Sequence, residues 1–195
     1  MTIPWGFASF DRVAFGLING VWTHPALDKA MPLITDPHKL PWLLYGAAPL
    51  ALGFWLYKGR LRALRVLVVA ALAIGVCDLL AYRVIKPWAG RVRPEYAGIG
   101  ARILTSQGGR LGFPSNHAAN AAAAAAVLSV AYPAAGFVFW SLAGLVAYSR
   151  VYVGAHYPLD VLAGLALGGL LSWPWAALML GAGGSSGAAK KKKKR

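Results

Sequence analysis

Acidic residues are scarce: six of the 195 residues are Asp or Glu, and all charged residues together make up 13% of the chain. Ordinary soluble domains carry about 25%. A chain this poor in charge cannot cover a folded core with polar surface, which argues against a soluble globular domain. Cysteine is almost absent. The one residue, Cys77, excludes an internal disulfide framework and, lying within an apolar run, reads as a small buried hydrophobe. The N-terminus lacks a basic region followed by an apolar core and a small-residue cleavage site, so no cleaved signal peptide is expected. Nor does any nucleic-acid-binding motif accompany the formal net charge of +14. Many of the positive residues fall in two blocks, Lys58, Arg60, Arg62 and Arg65 in KGRLRALR and the run Lys190 to Arg195. Both flank hydrophobic stretches, where positive charge marks the cytoplasmic side of a membrane. Nucleic acid is not expected as a partner.

What is abundant is apolar sequence, 58% of the chain, and it comes in long runs. A membrane-spanning helix needs about 20 mostly apolar residues. Five stretches approach or meet that, residues 41–57, 63–85, 115–132, 133–149 and 157–180. Trp42, Trp55, Tyr57, Tyr132, Trp173 and Trp175 lie near their ends as interfacial anchors. The expected fold is all-α, an integral membrane bundle of about five transmembrane helices. If the basic link is cytoplasmic, the second span emerges outside near Lys86 and the fourth near Arg150. The fifth then returns with the Lys-rich tail inside, so both basic blocks share one side. Residues 1–40 read as an interfacial segment, an amphipathic helix over 7–22 interrupted by Asp11-Arg12 and then a polar loop; a sixth span there is the alternative. Residues 41–180 make the transmembrane domain and 181–195 a flexible polybasic tail, suited to anionic headgroups.

On this topology the loop 86–114, the start of the third span and the connection from fourth to fifth all face outside. The remaining unusual polar residues gather there. Lys86, Arg93 and Arg150 suit a multiply charged anion, because the guanidinium fork matches phosphate bidentately and lysine adds a point charge. PSNH is a helix-entry pattern, with Ser115 at or near the N-cap, where free N–H groups and the helix dipole favour an anion. The Ser115 hydroxyl and the Asn116 N–H can then bind phosphate oxygens, with His117 one step further on. His156 and Asp160 are spaced i, i+4, on one helical face if the fifth span begins there. A carboxylate so placed accepts from one ring nitrogen, fixes the tautomer and presents the other nitrogen as nucleophile or base. Pro158 is tolerated in the first turn.

These clusters resemble the type 2 phosphatidic acid phosphatase superfamily, which also contains the vanadium haloperoxidases. The family pattern is Lys-x6-Arg-Pro, then Pro-Ser-Gly-His, then Ser-Arg-x5-His-x3-Asp. Lys86 through Arg93-Pro94 matches the first, and Ser149-Arg150 through His156 to Asp160 matches the third. The middle one reads Pro114-Ser115-Asn116-His117, with asparagine in place of glycine. The resemblance implies that His156 attacks phosphorus, oriented by Asp160, and that His117 protonates the leaving oxygen and then activates water. It implies that Lys86, Arg93, Ser115 and Arg150 hold the phosphoryl oxygens, while asparagine in place of glycine keeps the backbone N–H at position 116. No metal or other cofactor is called for.

Other polar residues have plainer readings. Arg83, Arg91, Arg102 and Arg110 are expected to snorkel to the interface. His24 and His38 lack metal-ligand spacing and read as interfacial residues. Asp78, within the second span, needs a partner, for which Arg83 or Tyr82 is about one turn away. The alanine run Ala121 to Ala126 and GLALG of Gly164 to Gly168 are surfaces for close helix packing. Glu95 has no assigned role.

The leading expectation is a lipid phosphatase in the bacterial inner membrane, multi-pass, with its site on the outer face and its tail in the cytoplasm. The expected partners are a membrane lipid with a phosphate headgroup and the bilayer, with no obligatory protein partner. Undecaprenyl diphosphate is the first candidate substrate, ahead of phosphatidylglycerophosphate, phosphatidate and lipid A 1-phosphate. A haloperoxidase would be longer and soluble. A non-enzymatic lipid-binding protein would have lost His156, His117 or Asp160, and all three are present.

Overall fold

The computed structural model describes residues 8–105 and 109–181; the polybasic run Lys190 to Arg195 lies outside them. The helix at the centre of the bundle, α4 (Asn116–Ala131), has alanine, the best helix former, at nine of its 16 positions. It starts behind Pro114 and the extended Ser115, and it stops at Tyr132 because Pro133 follows. Its small side chains let neighbouring helices approach closely. A Cβ on Gly164 or Gly168 of α6 (Pro158–Gly181) would collide with the carbonyl oxygens of Ser115 and Ala119. That contact surface is the one expected from the Ala and Gly stripes. Between α4 and α6 in sequence runs α5 (Gly136–Tyr152), which also packs on α4. Val66, Cys77, Val127 and Ala176 belong to the apolar core on which these helices meet, and Cys77 is buried as expected.

Preceding them is α3, a helical run over Leu43–Ala89 of 47 residues. Straight, it would be about 70 Å long, more than twice the roughly 30 Å hydrocarbon thickness of a bilayer. It is not straight. Arg60 has φ 46 and ψ −128, which breaks the helix inside KGRLRALR. The contacts on either side show a reversal. Just ahead of Leu43, Asp36 lies beside Arg150 and Lys39 donates to Thr105 at one end of the molecule. Trp55 Nε1 donates to the Tyr132 hydroxyl at 3.0 Å and Arg62 to Ala131 O at 2.7 Å, at the other end. Lys86 is then back at the first end, donating to Pro114 O at 2.8 Å. The run is a hairpin of two legs. Among the described residues, it and the helices over Pro133–Tyr152 and Pro158–Gly181 are long and apolar enough to cross a membrane, with the 16-residue α4 packed between them.

The N-terminal residues form α1 (Ala8–Gly16), extended by a wider turn over Leu17–Val21, and α2 (Pro25–Thr35). α1 is amphipathic as expected: Asp11, Phe15 and Asn19 are buried, whereas Phe10, Val13, Leu17 and Val21 face outward. The loop expected after it is instead helical. His24 caps α2, its Nδ1 accepting from the Ala26 N–H at 3.2 Å, and Pro25 occupies the first position. His24 is thus a helix cap. Among the described residues the one strand-like pairing is an isolated bridge between Val92 and Leu111.

Candidate active site

The site end is built on the loop after α3. Gly90, at φ 60, ends the helix. The loop doubles back through Arg93 N–H to Arg110 O (2.9 Å) and Gly112 N–H to Arg91 O (2.7 Å). Lys86 is buried beneath it, its ammonium reaching the carbonyls of Leu111, Gly112 and Pro114 at 3.3, 3.4 and 2.8 Å. Lys86 therefore fixes the loop that delivers Ser115 as well as supplying charge. Ser115 is the N-cap of α4 and donates its own N–H to Asp160 O at 2.9 Å. Its hydroxyl is buried and has no hydrogen-bond partner. Arg93 donates Nε to Leu111 O at 3.1 Å, and its Nη1 is buried without a partner. A buried donor and a buried hydroxyl left open beside a helix N-terminus suit an anion.

His156 and Asp160 sit where α5 hands over to α6. The turn relies on Gly154 at φ 86, where a Cβ would strike Arg102 O, and the N–H groups of Ala155 and His156 return to Arg150 O at 3.0 and 3.2 Å. Because α6 begins at Pro158, His156 lies in the turn and not on the helix, which corrects the single-face expectation. Asp160 Oδ2 stands 3.4 Å from His156 Nδ1 without a hydrogen bond between them, and that ring nitrogen is buried with no partner. Asp160 accepts the Tyr157 N–H at 3.0 Å, as a third-position carboxylate caps a helix start. Burial holds the His156 imidazole well below the usual histidine range, and the charges of Arg93, Arg150 and Lys86 push the same way. The ring is kept neutral, the form in which a nitrogen can attack.

Arg150 is fully buried and points back to α2, donating to Thr35 Oγ1 and lying 3.8 Å from Asp36 Oδ1. His117 is exposed at the start of α4. The Asn116 side chain faces away from the site: Nδ2 donates to Asp78 Oδ1 at 2.7 Å, and Asn120 donates to the same oxygen at 3.1 Å. Those two amides, not Arg83 or Tyr82, partner Asp78. Any phosphate contact from Asn116 falls to its backbone N–H.

Two arginines expected to snorkel do not. Arg91 bridges two buried carboxylates, Asp160 Oδ1 at 2.7 Å and Asp11 Oδ2, and lies 4.3 Å from the centre of the Tyr157 ring. Asp11 also accepts the Leu159 N–H at 2.9 Å, so α1 is tied to the start of α6. Arg102 pairs with Asp28 at 2.7 Å and stacks over Tyr152. Arg83 and Arg110 are exposed, as expected. Asp11 and Arg91 are the positions that motif reading missed. A signal existed for one of them, since an aspartate inside an amphipathic apolar stretch requires a partner.

A profile of the PAP2 superfamily matches residues 62–182. The chain belongs to the PAP2 superfamily. Lipid A 4'-phosphatase of Porphyromonas gingivalis is 31% identical over 164 residues, 81% of this chain and 68% of that protein. The crystal structure of the PAP2-type phosphatidylglycerolphosphate phosphatase of Bacillus subtilis aligns with TM-score 0.63 at 27% identity, over 96% of this chain and 87% of that one. LpxE of Aquifex aeolicus aligns with TM-score 0.67 at 26% identity, over 93% and 99%. An undecaprenyl-diphosphatase of Sulfolobus acidocaldarius is 44% identical, but over 61 residues, 31% of this chain and 30% of that protein. The PAP2 chain is thus a membrane phosphatase, an enzyme of the phosphoric ester hydrolase class.

Proposed function

We propose that this PAP2 enzyme removes a phosphate from a lipid phosphate or diphosphate at the outer face of the inner membrane, through a phosphohistidine on His156. With Nδ1 turned to Asp160, the His156 Nε2 lone pair attacks phosphorus. The P–N bond forms as the bond to the leaving oxygen breaks, the lipid oxygen of a monophosphate or the bridging oxygen of a diphosphate, and His117 gives that oxygen its proton. Water then attacks the phosphohistidine, His117 taking its proton, and inorganic phosphate leaves. Lys86, Arg93, Arg150, the Ser115 hydroxyl and the Asn116 N–H hold the phosphoryl oxygens and offset charge developing in the transition state. The observation that carries this reading is the buried His156 with Asp160 Oδ2 3.4 Å from its Nδ1, beside the open Ser115 hydroxyl and Arg93 Nη1.

An amphiphilic substrate follows from a site at the end of a helical membrane bundle. Among lipids, the named relatives favour lipid A and phosphatidylglycerophosphate. Undecaprenyl diphosphate, expected from the compactness of the chain, rests on the short overlap alone. The basic reversal at Lys58 to Arg65, at the end opposite the site, supports a cytoplasmic hairpin and a cytoplasmic tail. The test is phosphate release in detergent with EDTA present, from lipid A, phosphatidylglycerophosphate, phosphatidate and undecaprenyl diphosphate. Release that survives EDTA and vanishes in His156→Ala supports the reading, and the preferred lipid identifies the substrate. No release from any of the four by folded protein would overturn it.

A further inference from the structure

All six carboxylate side chains of the chain, Asp11, Asp28, Asp36, Asp78, Glu95 and Asp160, belong to the half of the molecule that holds the site. The five aspartates pair with Arg91, Arg102, Arg150, Lys39, Asn116 and Asn120. The opposite end carries Lys58, Arg60, Arg62 and Arg65 around the reversal, and none of the four forms an ion pair among the described residues. No carboxylate side chain remains in the sequence to neutralise them. Arg62 and Arg65 open onto a cavity of about 460 Å³ between α3 and the far ends of α4 and α6, with Leu61, Val130, Met179 and Leu180 on its walls. Arg62 is already held in place, donating to Ala131 O at 2.7 Å with its guanidinium 5.3 Å from the Tyr132 ring centre.

We propose that this cavity binds the headgroup of an anionic phospholipid, with the phosphodiester against Arg62 and Arg65 and the upper acyl carbons against Leu61, Met179 and Leu180. Arginine matches phosphate oxygens in pairs, and a prearranged guanidinium loses little freedom on binding. Basic pockets between membrane helices on the cytoplasmic side suit anionic headgroups. The apolar walls distinguish a lipid from free phosphate, which carries the same charge and gains nothing from them. The site lies at the far end of the bundle from His156, so its occupant is a bound lipid and not the substrate.

The test follows thermal unfolding of the detergent-purified protein during addition of short-chain phosphatidylglycerol, phosphatidylcholine or inorganic phosphate. Wild type, Arg65→Gln and Arg65→Lys are compared. Arg65 is exposed, so its substitution leaves the fold and the distant phosphatase site alone, and phosphate release in detergent should match wild type. Phosphatidylglycerol should stabilise the wild type saturably, with about fivefold weaker apparent affinity in Arg65→Gln, the value of one cation near a headgroup. Arg65→Lys should keep most of the response, and phosphatidylcholine should give none. An unchanged response in Arg65→Gln, or an equal one with phosphatidylcholine, would overturn the proposal. An Arg65-dependent shift reproduced by inorganic phosphate would overturn the lipid assignment in favour of a small-anion site.

Discussion

Replacing Asp11 by asparagine tests whether the N-terminal helix takes part in arranging the nucleophile. Asp11 is fully buried on α1, and the substitution keeps its volume and an acceptor for the Leu159 N–H while removing the charge that faces Arg91. Arg91 is the link onward: its other amino group holds Asp160 Oδ1 at 2.7 Å, and Asp160 Oδ2 stands 3.4 Å from His156. A hydrogen bond to a charged group is worth about 1.5–3 kcal/mol. Transmitted in full to the orientation of His156, that loss lowers kcat about 10- to 100-fold, at 1.36 kcal/mol per factor of ten. Substrate phosphate is not touched by Asp11, so KM should stay near wild type. The assay is steady-state phosphate release in detergent, on protein checked by circular dichroism and gel filtration. Asp11→Asn, Arg91→Gln and the double variant form a cycle. If the pair acts as one unit, the double variant resembles the worse single one. Wild-type kcat in well-folded Asp11→Asn, or fully additive losses, would refute the relay and leave the pair a structural tie. Asp11→Ala is less informative, because it also removes the acceptor for the buried Leu159 N–H and leaves a cavity.

Three further outcomes follow. Because burial and then the nearby cations hold the His156 pKa well down, the unfolded chain takes up a proton near pH 6.5 that the folded one refuses. This contribution to stability is therefore present above pH 6.5 and is lost as pH falls below it, by about 1.4 kcal/mol per pH unit; melting curves from pH 7.5 to 5 should show a shallower slope in His156→Asn, and equal slopes would refute it. Asn116→Gly, which places the family's glycine in the middle motif, should leave phosphate release near wild type because the backbone N–H remains. It should lower Tm, since Asp78 loses its 2.7 Å donor and glycine costs about 1 kcal/mol in a helix; a large fall in kcat would show that the side chain takes part. Gly168→Ala should destabilise by about 1–3 kcal/mol or abolish expression, because its Cβ meets the Ala119 carbonyl, and an unchanged melting temperature would contradict the packing described.

The sequence was most legible where the pattern is local. Runs of apolar residues punctuated by Pro133 and Pro158 give α4, α5 and α6 to within a few residues, and the basic link at Lys58 to Arg65 marks the reversal that the Arg60 backbone makes. The three motif clusters are local too, and they converge in space because α3, α4 and the turn before α6 end on one side. What stayed hidden depends on distant partners. Asn19 bonds Arg102 and Tyr152 across 83 and 133 positions, and Asp11 reaches Leu159 across 148. No periodicity encodes such pairings, so Arg91 and Arg102 looked like surface cations and the first forty residues like an appendage. Asp78 was misassigned for the same reason: its partners come from α4 and not from its own helix.

The central claim is that phosphate passes through His156. The most direct measurement is to quench the enzyme with base during turnover of a radiolabelled substrate and map the label. The account predicts an acid-labile, base-stable phosphoryl group on the peptide containing His156, absent in His156→Ala. It also predicts that the group persists longer in His117→Ala, where hydrolysis lacks its base. Label on Ser115, or label and turnover surviving in His156→Ala, would contradict it.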